Sequence, residues 1–252
     1  MASLFFLRFE RASCEVSPQE AGMESSEADE RESYLYERFD RDLLETGARL
    51  KGHFKLRSGR CGADFFQIAM LARKPLRLRR ACRNLAQQIV AGMDQEEPEV
   101  VVGPALGGIS IAHEVAAALA EMGFGEPDAL YAQKARFDQG KGIWVPDETS
   151  ETFRLLRGFD RFVPHKRILV VEDALTTGGS CGRVTTCLRE LEANVVAVAT
   201  VVQRGEVRVP ELNGVPIIAF RRLQVEDWDP ADCPQREADG SHLPYTPIPG
   251  KN

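Results

Sequence analysis

Arg167-Ile-Leu-Val-Val-Glu172-Asp173-Ala174-Leu175-Thr176-Thr177-Gly178-Gly179-Ser180 is the stretch whose reading decides the fold. A short run of β-branched and aliphatic residues ends in two adjacent carboxylates. A turn of small residues follows, and Val184, Cys187, Leu188 and Leu191 then recur at helical spacing. A buried strand that turns through glycines into a helix is half of a β-α-β unit. In an open α/β sheet, ligands bind beyond the carboxyl ends of the strands. Thr176 to Ser180 would present backbone N–H groups and hydroxyls at a helix amino terminus, which is a cradle for phosphate. Glu172 and Asp173, just before it, would face whatever polar group is joined to that phosphate, such as ribose hydroxyls. Acidic pairs do end strands without any function, and paired glycines relieve strain in ordinary turns. The order strand, Glu-Asp, Thr-Thr-Gly-Gly-Ser, helix is longer and more specific than that reading requires.

The same rhythm extends on both sides. Val100–Val102, Ala129–Ala132, Ile168–Val171, Val195–Val202 and Val215–Phe220 are short apolar runs, and helical patterns cover Leu76–Val90, Ile109–Glu121 and Arg183–Leu191. Such alternation predicts a parallel sheet flanked by helices, so the fold class is α/β. Helical spacing also starts at Tyr34, with Leu35, Phe39, Leu43 and Leu44, and a β-rich piece runs from His53 to Met70. Before Tyr34, eight acidic side chains from Glu10 to Glu32 face only Arg11 and Arg31, without apolar periodicity. We therefore expect a disordered acidic leader over 1–33 and a single domain over 34–252. The polar stretch Ala135–Thr152, with Gly140, Gly142 and Pro146, reads as a long loop of the kind that forms functional lids. The Pro-rich tail after Trp228 reads as an irregular cap.

Composition excludes several classes. The 252 residues carry 32 basic and 38 acidic side chains, a formal charge of −6, which argues against a nucleic-acid partner. No run approaches the roughly 18 apolar residues of a membrane span, so no membrane partner is expected. The short apolar stretch Leu4–Leu7 precedes its charge, Arg8, in the reverse order of a secretory signal, which points to the cytoplasm. Six cysteines lack any C-x-x-C pair and read as free thiols, and with four dispersed histidines no metal site is legible from spacing. Cys181 lies in the first turn of the helix after the cradle, where the helix dipole would lower a thiol pKa. On the apolar face with Val184, Cys187 and Leu188 it reads instead as a small buried filler.

The Glu172–Ser180 segment closely resembles the phosphoribosyl-pyrophosphate (PRPP) motif of type I phosphoribosyltransferases, in the form found in orotate phosphoribosyltransferases. Further stretches carry the resemblance, which covers roughly residues 34–250. His53-Phe54-Lys-Leu-Arg57-Ser58-Gly59-Arg60 resembles the family's substrate hood, and Val102-Gly103-Pro104-Ala105-Leu106-Gly107-Gly108 the loop that meets pyrophosphate. Tyr131-Ala-Gln-Lys134 resembles the start of the mobile catalytic loop, Leu155-Leu-Arg157-Gly158-Phe159 the strand returning from it, and Cys233-Pro234 the tail of one branch.

The resemblance implies a type I phosphoribosyltransferase-like parallel sheet with a small hood, built from 53–70 and the carboxyl tail, and a mobile lid over 133–153. It implies transfer of the 5-phosphoribosyl group from PRPP to orotate, giving orotidine 5′-monophosphate and pyrophosphate with Mg²⁺, a step of pyrimidine biosynthesis. The implied form is a homodimer whose lid reaches the other subunit's site. By position, Glu172 and Asp173 would hold the ribose hydroxyls and Lys134 the pyrophosphate, these three being the catalytic set. Ala174, Leu175, Thr176, Thr177, Gly178, Gly179 and Ser180 would surround the 5′-phosphate. Arg57, Phe65, Phe66 and Arg204 would face the base, a guanidinium suiting a planar carboxylate-bearing ring. The chain differs from the family's usual pattern at Cys61-Gly62-Ala63, where a polar pair is common, and at Phe137 and Gln139, where many members carry Lys and His. Two alternatives therefore stand beside the main reading: transfer to another base, and a PRPP-binding regulatory protein without turnover.

Overall fold

The computed structural model describes residues 18–56, 59–93, 96–237 and 240–248, with side chains from Glu30 onward. The chain divides into two units, 1–40 and 41–252. In the first, the described residues belong to the helix α1 (Pro18–Thr46), where the Tyr36 hydroxyl donates to Glu32 one turn back. Helix thus begins at Pro18, ahead of the apolar periodicity at Tyr34. Residues 18–33, expected as part of a disordered leader, are helical, because Glu, Ala, Met and Arg favour helix without an apolar stripe. Residues 1–17 lie outside the described residues.

The second unit follows in chain order. First come β1 (Arg49–Lys55), β2 (Cys61–Phe66), the short α2 (Ala69–Ala72) and α3 (Pro75–Gly92). Next are β3 (Val100–Pro104), α4 (Gly107–Glu121), β4 (Asp128–Asp138), β5 (Ile143–Pro146) and β6 (Phe153–Arg154). Last are β7 (Arg167–Leu175), α5 (Gly179–Glu190), β8 (Asn194–Gln203), β9 (Ile217–Arg222) and β10 (Asp227–Trp228). All five apolar runs of the sequence lie in parallel strands, ordered β4-β3-β7-β8-β9. From β3 the chain winds outward through α4 to β4, and from β7 it winds the other way through α5 to β8. The sheet therefore reverses direction between β3 and β7, the kind of crevice where α/β sheets take their ligands.

Strand alternation explains the two helical layers. Val100, Val102, Ile168, Val170 and Val198 join Cys181, Val184 and Leu188 of α5 in one buried cluster. The intervening Val101, Leu169, Val171 and Ala199 are equally buried, and α4 packs along β3, β4 and β7 while α3 packs on β8 and β9. Burying each such side chain stabilises the fold by about 1.5–3 kcal/mol.

The hood is a three-stranded antiparallel sheet, β1-β2-β10. Arg60 binds it across strands through Asp227 and Asp229 at 3.0 and 2.8 Å. The tail beyond Trp228 is irregular, as its prolines dictate, and returns to β1 where the Thr246 N–H donates to His53 O at 2.6 Å.

The stretch Ala135–Thr152, read as a loop, is largely a hairpin. β4 continues to Asp138 and pairs antiparallel with β5, Phe137 opposite Trp144. The Asp138 carboxylate accepts the Gly140 and Lys141 N–H groups and closes the turn. The aromatic pair meets edge-to-face at 5.6 Å and Arg154 stacks on Trp144 at 4.3 Å. Composition suggested a loop because charged residues alternate with these aromatics, and beyond the buried Ala135 cross-strand pairs hold the strands together.

Candidate active site

β7 delivers the two carboxylates to the crevice. Residues Ile168–Val171 are buried, so the strand is anchored along its length, and Glu172 and Asp173 emerge where it passes beyond β3. Both are largely withdrawn from water. Burial pushes the Glu172 carboxyl up to about 7, reinforced by neighbouring Asp173 and opposed by hydrogen bonds from Cys181 and Ser180. Burial also raises Asp173, opposed by the Ala174 N–H, which donates to Oδ1 at 2.7 Å. A closely spaced carboxylate pair with raised pKa values is a common signature of a working site.

The turn after the strand opens α5. Gly178 caps the helix at φ +89°, a left-handed conformation that glycine adopts without strain. A Cβ there would also meet Val207, Leu212 and Val209 at 3.0–3.2 Å. No side chain caps the first turn, so the leading N–H groups of α5 remain available to an anion, with Thr176 and Thr177 exposed beside them.

Across the crevice, the β3–α4 turn comes in close to Asp173. A Cβ added to Gly107 would lie 2.7 Å from Asp173 Oδ2. Glycine is needed there because backbone must approach a carboxylate. Leu106, beside it, is exposed.

Arg204 closes a third side. Its backbone N–H donates to Leu175 O at 2.9 Å and its Nε to Thr176 Oγ1 at 3.1 Å, while the guanidinium lies 5.7 Å from the Phe66 ring centroid. The Phe66 ring is flanked on another side by Arg49, 5.5 Å from its centroid. Arg49 is neutralised by Asp64 at 2.6 Å. Arg204 meets no carboxylate at ion-pair distance among the described residues, and burial lowers its pKa against a longer-range pull from Asp227.

The structure brings Glu172, Asp173, Thr176–Ser180, Arg204 and Phe66 to one crevice. Ala174 and Leu175 serve through backbone groups, their side chains half-buried and buried. Phe65 points to Phe54, ring centroids 5.7 Å apart, on the hood. Lys134 lies on β4, and its Nζ donates to Glu148 O at 3.2 Å within its own arm. Arg57 lies outside the described residues. Cys61 packs with His53, Cys233, His242 and Tyr245 of the hood.

Cys181 is a site residue that sequence reasoning assigned only to packing. It is buried, as its apolar face implied, but its thiol donates to Glu172 Oε2 at 3.0 Å, and burial beside two carboxylates raises its pKa well above the ordinary value. The available signal was its place in the first turn of α5, which faces back toward the strand end.

Comparison with known proteins agrees with this geometry. Residues 69–227 match the family described as "Phosphoribosyl transferase domain". The orotate phosphoribosyltransferase of Carboxydothermus hydrogenoformans is 36% identical over 192 residues, covering 76% of this chain and 87% of its own. That of Thermotoga maritima is 32% identical over 196 residues, covering 77% and 90%. Among solved structures, the Mycobacterium tuberculosis orotate phosphoribosyltransferase complexed with Fe(III) dicitrate is 25% identical with a TM-score of 0.51, covering 74% of this chain and 96% of that one. The Aeropyrum pernix enzyme shares the fold with a TM-score of 0.52 at 24% identity, covering 72% and 91%. The chain belongs to the type I phosphoribosyltransferase family, with its relatives among the orotate phosphoribosyltransferases.

Proposed function

We propose that the protein transfers the 5-phosphoribosyl group from PRPP to orotate, giving orotidine 5′-monophosphate and pyrophosphate for pyrimidine biosynthesis. The observation that carries this reading is the unpaired Arg204 guanidinium, held between Phe66 and the Thr176 end of the cradle. A partly buried cation without a carboxylate partner among the described residues favours an anionic ligand, and a planar ring bearing a carboxylate satisfies both its charge and its fork.

The 5′-phosphate takes the N–H groups and hydroxyls of Thr176–Ser180, and Glu172 and Asp173 accept from the ribose hydroxyls. The base nitrogen attacks the anomeric carbon, whose bond to pyrophosphate breaks, the electron pair leaving with pyrophosphate and the nitrogen's proton passing to the departing pyrophosphate or to solvent. As positive charge develops on the sugar, the ionised forms of Glu172 and Asp173 stabilise it. Lys134 meets the departing anion as a mobile point charge, beside the backbone of Gly103–Gly108. Phe66 faces the base with Arg204, and Arg57 and Phe65 are assigned to the base side by the family resemblance alone. The carboxylate oxygens fit Mg²⁺, a hard cation that keeps most of its ligands from water and phosphate. When bound, Mg²⁺ neutralises charge on the pyrophosphate.

The protein works as a cytoplasmic homodimer, its arm reaching the partner's site. Exposed Phe137, Ile143 and Trp144 on the arm support this, since large apolar side chains on a projecting hairpin favour a second surface.

The test is loss of orotate absorbance with PRPP and Mg²⁺. Turnover that falls by at least about 100-fold in Asp173→Asn, with melting unchanged, supports the carboxylate role. PRPP binding without turnover of any base would favour the regulatory reading, and turnover of a different base the alternative specificity.

A further inference from the structure

We propose that the hood carries a transition-metal site of the His₂Cys₂ class, formed by His53, Cys61, Cys233 and His242, which takes a zinc-like divalent cation. The four come from separate parts of the hood. His53 lies on β1 and Cys61 on β2, Cys233 follows the 3₁₀ turn Pro230–Asp232, and His242 sits in the tail where it bridges Arg236. Their ligand atoms all lie within 4.8 Å of one another. Three of the residues are buried and His242 is half-buried, so water is largely excluded from the centre they surround.

The distances suit a tetrahedron. Cys233 Sγ lies 3.5 Å from His53 Nε2 and Cys61 Sγ 4.0 Å from His242 Nδ1. Metal bonds of about 2.0–2.3 Å give tetrahedral edges of about 3.3–3.8 Å. One edge already has its final length, and the longest separation must contract by about 1 Å.

The protonation of His53 points the same way. Its Nδ1 lies 2.8 Å from Leu243 O, and a carbonyl only accepts, so Nδ1 carries the proton and Nε2 turns its lone pair toward the two thiols and His242. An imidazole that donates one N–H to a backbone carbonyl and offers the other nitrogen inward is the usual setting of a metal-ligating histidine. Two sulfurs and two imidazoles select zinc over magnesium, which takes oxygen. This centre is therefore chemically separate from the carboxylates of the active site, and none of its residues enters the transfer reaction.

The hood also has need of such a clasp. It is a small sheet with an irregular tail, and His53 and Cys233 are 180 residues apart along the chain. A bound cation would join β1, β2 and both ends of the tail loop, replacing the core that so small an element lacks.

The experiment uses the full chain, purified under reducing conditions without chelator, incubated with Zn²⁺ and desalted before elemental analysis. The expected result is about one zinc per chain. Replacement with Co²⁺ should give the intense visible bands of tetrahedral cobalt and a near-ultraviolet thiolate-to-cobalt transition. Cys233→Ser and His242→Gln should each lower retained zinc at least about tenfold. Because Cys233→Ser alters a buried position, the unaltered chain decides by itself. Retention of less than about a tenth of an equivalent overturns the proposal, as does octahedral cobalt. Peptide mapping that finds Cys61 joined to Cys233 as a disulfide in the reduced preparation overturns it too.

Discussion

The Cys181 thiol donates to Glu172 Oε2 across 3.0 Å, tying the first turn of α5 to the carboxylate at the end of β7. Burial keeps the thiol protonated, so the donor is permanent. The hydrogen bond lowers a carboxyl that burial has raised, and the outcome, about 7, places the Glu172 titration near neutrality.

Cys181→Ala removes that donor and should move the acidic limb of the pH profile of kcat/KM upward by about half to one unit. Cys181→Ser keeps a donor and should restore the limb. A limb that stays in place in the alanine variant would show that the bond is not made during turnover.

Glu172 should make the protein less stable as pH rises. Its proton is held more tightly in the folded state, about 7 against an ordinary 4.5, so the stability it contributes is full below 4.5 and lost as pH rises through 7. Glu172→Gln should raise the unfolding free energy by up to about 3 kcal/mol at high pH and by little in acid, while turnover collapses. Urea unfolding across the pH range measures this, and an equal effect at both ends would contradict the desolvated carboxyl.

Gly107→Ala places a methyl group 2.7 Å from Asp173 Oδ2 and 2.9 Å from its Cγ. Asp173 must turn away, and kcat/KM should fall by about 10- to 100-fold. Because the clash is local to an open crevice, melting should shift by only a few degrees. A variant with unchanged kinetics would mean that Asp173 is free to occupy another position.

Arg204→Lys keeps the charge and loses the planar fork over Phe66, and should raise the KM for orotate by about tenfold or more while leaving that for PRPP nearly unchanged. Steady-state kinetics with each substrate varied in turn would show it. A matching rise in both would place Arg204 on the phosphate side.

The parallel sheet was legible because its strands are buried on both faces and therefore read as unbroken apolar runs. The candidate site was legible because Glu172 to Ser180 are contiguous, so one strand-to-helix turn brings the carboxylates and the free N–H groups of the helix start together without help from elsewhere. The arm was misread as a loop, since Phe137 and Trp144 are held by a partner across the hairpin rather than by a core that would leave periodicity. Helix before Tyr34 escaped notice because propensity alone leaves no apolar stripe.

By itself, then, the sequence determined the α/β class, the position of the candidate site in the chain and its family, because those depend on residues adjacent in the chain. Tertiary structure alone decided that Cys181 serves Glu172, that Gly107 abuts Asp173 and that Arg204 meets no carboxylate at ion-pair distance among the described residues. It also decided that His53, Cys61, Cys233 and His242 share one centre. Each of these rests on groups that chain order alone does not put in contact, and only the packed fold brings their atoms within reach of a hydrogen bond or a metal.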